Sequence, residues 1–182
     1  MRKASLAQPP LFALAERDGP RLTLRADTGA AAHVFVLEAD IIRILLLADG
    51  AVTSPPSWAV APGRTDIAEP GRNRMDCSGF AAPPFTLEEV DGVVVVTTAC
   101  LRLEITLAGL FCRWSQVTSD GWRLIAEDRP TQAYNFGWWD EGVYHYVKRQ
   151  PGERYYGLGE RAGAMDRAGR RFRLTNLDPM GY

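Results

Sequence analysis

Leu101-Arg-Leu-Glu-Ile-Thr-Leu107 alternates apolar and polar residues without a break. In an extended chain successive side chains point to opposite faces, so Leu101, Leu103, Ile105 and Leu107 share one face. Arg102, Glu104 and Thr106 share the other. A helix would scatter these four apolar residues around its circumference. The stretch therefore predicts a β-strand with one face in a core and one in water, the pattern of an antiparallel sheet.

The same punctuation continues on both sides. Upstream, Phe85–Val90 and the β-branched run Val93–Thr98 flank Asp91-Gly92, a two-residue hairpin signal. Downstream, Leu110–Val117 and Trp122–Ala126 flank Asp120-Gly121. After a break at 128–131, Tyr134–Trp139 and Val143–Lys148 flank Asp140-Glu-Gly142 as a further hairpin. Nearer the N-terminus, the short apolar run Leu11–Leu14 can open a strand, and Arg21–Arg25 alternates. Asp27-Thr-Gly29 turns into the apolar run His33–Glu38. Asp40 separates that run from Ile41–Leu47, which reads as a central strand with Ile42, Ile44 and Leu46 on one face, a buried helix turn being the alternative that periodicity alone leaves open. Between Asp49 and Pro84 the periodicity dissolves into a Pro- and Gly-punctuated excursion that Trp58 and Ile67 would pin down. About ten short strands joined by turns, with no convincing helix, predict an all-β antiparallel sandwich.

Composition narrows the function. The chain has 182 residues, enough for one domain with its own core, and the reading is one domain over 1–182. Twenty-one basic residues against 22 acidic ones give a net charge of −1, which supplies no electrostatic case for nucleic acid or an anionic membrane. No run approaches a membrane span, and the N-terminal apolar run is too short for a signal peptide. Cys77, Cys100 and Cys112 are odd in number and lack CxxC spacing, so they read as buried free thiols in a reducing compartment, not as a zinc site or disulfide framework. A cytoplasmic protein without metal or cofactor is the expectation.

The last third carries the specific motifs. Gly157, Gly159 and Gly163 fall within seven residues and mark turns at positive φ. Tyr156-Gly-Leu-Gly-Glu-Arg161, Asp166-Arg-x-Gly169 and Asn176-x-Asp178-x-x-Gly-Tyr182 together resemble the end of the N-terminal β-sandwich of glycoside hydrolase family 31. That family includes α-glucosidases and α-xylosidases, and its N-terminal domain is similar to the galactose mutarotase sandwich. The resemblance implies the non-catalytic N-terminal domain of a larger retaining α-glycosidase. The catalytic aspartate pair would lie on a (β/α)₈ barrel absent from this chain, and the chain alone would be inactive.

The resemblance also implies a site. Asp178 matches an aspartate on a loop that reaches over the barrel mouth and hydrogen-bonds a substrate sugar, with Asn176 as a weaker companion. A carboxylate suits that task because it accepts two hydroxyl bonds in fixed geometry. The partners implied are an oligosaccharide or other α-glycoside and the protein's own barrel. The apolar surface that a barrel would cover leaves room for a homo-oligomer. Glu160 beside Arg161 is expected to stay ionised as a structural ion pair. Trp138, Trp139, Tyr134, Tyr144 and Tyr146 read as strand packing first and as a sugar-stacking patch second. Two other functions stand beside the leading one. A free-standing carbohydrate-binding sandwich would use those aromatics. An aldose 1-epimerase would need histidine and glutamate around a sugar, and neither His33 nor His145 stands in such a pattern.

Overall fold

A computed structural model of the chain describes residues 9–53, 56, 71–131, 133–136, 143–159 and 163–173. The chain divides into two compact units, Met1–Lys148 and Arg149–Tyr182. Among the described residues there is no helix, and so none long and apolar enough to cross a membrane.

The first unit is built from antiparallel sheets. Four strands, β1 (Phe12–Asp18), β2 (Arg21–Ala26), β3 (Ala31–Glu38) and β4 (Ile41–Leu47), pair in chain order. Five more, β5 (Thr86–Val90), β6 (Val93–Thr97), β7 (Leu101–Thr106), β8 (Phe111–Thr118) and β9 (Gly121–Glu127), form the second sheet, also in chain order. A short hairpin, β10 (Tyr134–Phe136) with β11 (Val143–His145), follows. This is the all-β sandwich that the alternation predicts.

One core joins the two sheets. Phe12, Leu22, Leu24, Ala32, Val34 and Val36 come from the first sheet. Val94, Val96, Leu103, Ile105 and Cys112 come from the second. Leu103 and Ile105 are fully buried and Leu101 nearly so, as the 101–107 pattern requires. Burying a leucine, isoleucine or valine side chain contributes about 1.5–3 kcal/mol, so this inter-sheet layer is the main source of stability.

Two expectations change in the structure. Ile41–Leu47 is an edge strand, not a central one. Its Ile42, Ile44 and Leu46 do pack on the core, but none of its residues is fully enclosed. The strand enclosed on both faces is β3, where Ala31 through Leu37 are all buried. Val34 and Val36 face the inter-sheet core, while His33 and Phe35 lie on the opposite face. There the Arg43 guanidinium sits 4.0 Å from the Phe35 ring centroid, and Thr23 Oγ1 lies 3.1 Å from His33 Nδ1. The thiols differ too: Cys112 is buried, but Cys77 and Cys100 are only half-buried, and all three are free.

Turns between strands use residues that tolerate the left-handed region. Gly50 shows why one of them must be glycine. Its φ is +75°, and a Cβ there would lie 2.9 Å from the Gly29 carbonyl oxygen.

Candidate functional site

Asp178 and Asn176 lie outside the described residues, as do Glu160, Arg161, Trp138 and Trp139. The described part of the second unit leads up to them, and its geometry is organised by Asp166. Asp166 Oδ1 accepts the Tyr155 N–H at 3.2 Å and the Ala168 N–H at 3.0 Å. Its Oδ2 accepts Arg154 Nη1 at 2.8 Å. The Arg167 N–H donates to the Tyr155 carbonyl at 2.7 Å. These bonds tie the run at 154–156 to the turn at 166–169. The backbone donors of Ala168 and Tyr155, with Arg154, hold the Asp166 carboxyl below the usual carboxylate range. Asp166 thus recurs in the resemblance motif as a structural hub.

Gly157, Leu158 and Gly159 take φ of +109°, +70° and +64°, and Gly163 takes +120°. The expected glycine turns are therefore present. Leu158 is the exception among them, a side-chain-bearing residue held in the left-handed region at a cost of about 1–2 kcal/mol. Tyr155, Tyr156, Leu158 and Met165 are exposed around this bend.

The second polar site lies in the first unit, under the β10–β11 hairpin. Asp128 is buried. Its Oδ2 accepts the Cys112 N–H at 2.9 Å, and its Oδ1 lies 2.8 Å from His145 Nε2. The Tyr134 ring stacks on the His145 ring at 4.3 Å and 6°. Burial, then the neighbouring thiol and carboxylate, pushes the Tyr134 phenol up. Burial with Asp128 pushes the Cys112 thiol well above its ordinary value. The thiol is buried and packs as a small apolar side chain in the core. The aromatic cluster reads accordingly: Tyr134 packs on the core, while Tyr144 and Tyr146 are exposed. Asp128, placed in a break between strands, carries no pattern that singles it out in the sequence. Among the described residues no group of three or more His, Cys, Asp or Glu side chains could hold a metal ion.

Comparison with known proteins adds to this geometry. The family model of the glycosyl hydrolase 31 N-terminal galactose mutarotase-like domain matches residues 31–182. No curated protein matches the chain. Among solved structures, a Flavobacterium johnsoniae GH31 dextranase complexed with glucose superposes with a TM-score of 0.64 at 16% identity. The match covers 91% of this chain and 18% of the dextranase. An uncharacterized protein of Listeria monocytogenes EGD-e, in complex with α-D-glucose, β-D-glucose, magnesium and calcium, superposes with a TM-score of 0.61 at 18% identity. That match covers 90% of this chain and 14% of the Listeria protein.

Proposed function

The chain belongs to the glycosyl hydrolase 31 N-terminal galactose mutarotase-like domain family, and on that premise we propose that it is the accessory sandwich of an α-glycosidase of α-glucosidase type. The observation that carries this reading is the family match, which includes the block holding Asn176 and Asp178. The parent enzyme would bring a catalytic barrel, since this chain spans only 18% of the similar dextranase. The sandwich supports the barrel, and Asp178 with Asn176 reaches a substrate sugar. Glucose bound in the dextranase structure supports a carbohydrate substrate. Exposed Trp122 and Val117, paired across β8–β9, supply apolar surface of the kind a covering domain or a second copy would bury. The three free thiols support a cytoplasmic setting.

The test is Asp178→Ala in the full-length enzyme. A charge-assisted hydrogen bond to a sugar hydroxyl contributes about 1.5–3 kcal/mol. Its loss should lower kcat/KM by roughly ten- to a hundredfold with Tm unchanged. A lower Tm with unchanged kcat/KM would make Asp178 a turn residue and end this reading. The 182-residue chain alone should not turn over aryl α-glycosides.

A further inference from the structure

The start of β1 is hydrogen-bonded to both sheets. Leu11 and Ala108 form an antiparallel bridge, in which the Phe12 N–H donates to the Leu107 carbonyl at 3.0 Å and the Gly109 N–H to the Pro10 carbonyl at 2.8 Å. On its other side the same segment meets the end of β2. The Asp27 N–H donates to the Leu11 carbonyl at 3.3 Å, and Asp27 Oδ1 accepts the Leu11 N–H at 3.3 Å. Residues 10–12 thus lie as a strap across one end of the sandwich, between the β2–β3 turn and the β7–β8 turn. Phe12 is the anchor: it is 3% exposed and shares the core with Leu107 and Leu110. Leu11 is 59% exposed, so the middle of the strap is held by backbone bonds and not by burial.

The turn that receives the strap is strained. Gly109 takes φ of +91° and Leu110 takes +56°, and the leucine is buried. A side-chain-bearing residue stays in the left-handed region only where its surroundings hold it there. Leu110 is held by the core it packs in and by the bond of its neighbour Gly109 to the strap. The fit is close: a Cβ on Gly109 would lie 2.7 Å from the Phe111 ring and 3.3 Å from the Pro9 Cβ. The opposite end of the sandwich is fastened differently. Buried Thr98 Oγ1 donates to the Ala39 carbonyl at 2.5 Å and accepts the Leu101 N–H at 2.9 Å, joining the β3–β4 turn to the β6–β7 turn. That fastening is enclosed, whereas the strap is short and its Leu11 stands in water, the setting of local opening.

We propose that residues 10–12 and the 107–111 turn form a latch that opens and closes as one unit while the rest of the sandwich stays folded. Closed, the strap bridges the two sheets and keeps Leu110 in its strained turn. Open, the Phe12, Asp27 and Gly109 N–H groups lose their partners together, and Leu110 is free to leave the left-handed region. The strain released on opening offsets part of the Phe12 burial that is lost, which brings the open state below global unfolding in free energy. The latch lies within the first unit and rests neither on Asp178 nor on the glycosidase reading.

Amide hydrogen exchange on the 182-residue chain, followed residue by residue by NMR, tests this. After correction for intrinsic rates, the Phe12, Asp27 and Gly109 amides should share one protection factor, roughly tenfold or more below that of the β7 amides. Asp27→Ala removes the acceptor of the Leu11 N–H. It should speed exchange at Phe12 and Gly109 by one common factor, roughly two- to tenfold, and leave β7 unchanged. Gly109→Ala crowds Pro9 and Phe111 and should have the same effect at Phe12 and Asp27, so it stands in should the first variant not fold. Latch amides that exchange only together with β7, in a single global opening, would overturn the proposal. So would unchanged rates in both variants. A variant that speeds Phe12 without its partner amide would show independent fraying at each residue and would equally end it.

Discussion

Asp128 Oδ1 and His145 Nε2 meet at 2.8 Å, joining the end of β9 to the end of β11 across 17 residues of chain. The two partners are unequally buried: the Asp128 side chain is 3% exposed and the His145 side chain 46%. The aspartate therefore carries the structural weight, because it also satisfies the Cys112 N–H inside the sheet.

Asp128→Ala should lower Tm clearly, since it orphans a buried donor at a cost of about 1–3 kcal/mol. In a domain of this size each kcal/mol corresponds to about 2–4 °C. His145→Ala should cost much less, about 0–1 kcal/mol, because its side of the pair is half in water. Thermal melts of both variants check the ranking. Equal losses would show that the Asp128–His145 contact, and not the Cys112 N–H that Asp128 also satisfies, carries the stability.

His33 predicts an acid sensitivity. Burial first, then Arg21 and Arg25, lowers its pKa from 6.5, while Glu16 works the other way. The unfolded chain then binds a proton that the folded chain resists. Stability is full above about pH 6.5 and declines as pH falls toward the lower folded value, by at most about 1.4 kcal/mol per pH unit. Tm measured from pH 8 to pH 5 should fall for the wild type and stay flatter for His33→Gln. Parallel profiles would remove His33 as the cause.

Asp166 makes the opposite end of the chain sensitive in a different range. Its pKa is lowered by the Ala168 and Tyr155 amides and by Arg154. Its contribution is present above the ordinary carboxylate value and lost as pH falls through the lowered one. Asp166→Asn should speed hydrogen exchange at the Tyr155 and Ala168 amides at neutral pH and leave the β7 amides protected. Unchanged exchange at 155 and 168 would show that Asp166 does not organise this turn.

Gly50→Ala should destabilise the first unit. The added methyl would meet the Gly29 carbonyl oxygen at 2.9 Å with φ at +75°. Left-handed strain alone costs about 1–2 kcal/mol, and the contact adds to it. Gly19→Ala has φ +53° but nothing within 4 Å, so it carries strain without a clash and should lose less. The difference in Tm between the two variants reads the contact by itself.

Strands such as β7 were legible because they have one wet face, Arg102 and Glu104 alternating with buried Leu103 and Ile105. Leu101–Leu107 and the Asp-Gly turns state their periodicity and reversal locally, and β5 to β9 follow them in order. Which strand is central was not legible in the same way. Ile41–Leu47 is the more apolar run, yet β3, with Thr23 and Arg43 as cross-strand neighbours, is the one enclosed. That distinction depends on what covers the second face, and over Phe35 the Arg43 guanidinium does so, which a hydrophobic pattern cannot register. Asp128 meeting His145, and Arg43 meeting Arg74, are likewise products of tertiary approach between residues with no spacing rule. The Asp178 motif was readable through family resemblance and lies outside the described residues.

Each sheet is a single uninterrupted meander: β1 to β4 on one side, β5 to β9 on the other, with no strand exchanged between them. Within each sheet every ladder thus joins strands that are neighbours in the chain, while one isolated bridge, Leu11 with Ala108, ties the start of the first sheet to the residues after β7. Neither sheet encloses a core by itself: the buried layer takes Val34 and Val36 from one and Val96 and Leu103 from the other, so most burial requires the 48–85 connection to bring the two together. Loss of that connection's continuity would turn an intramolecular docking into a bimolecular one.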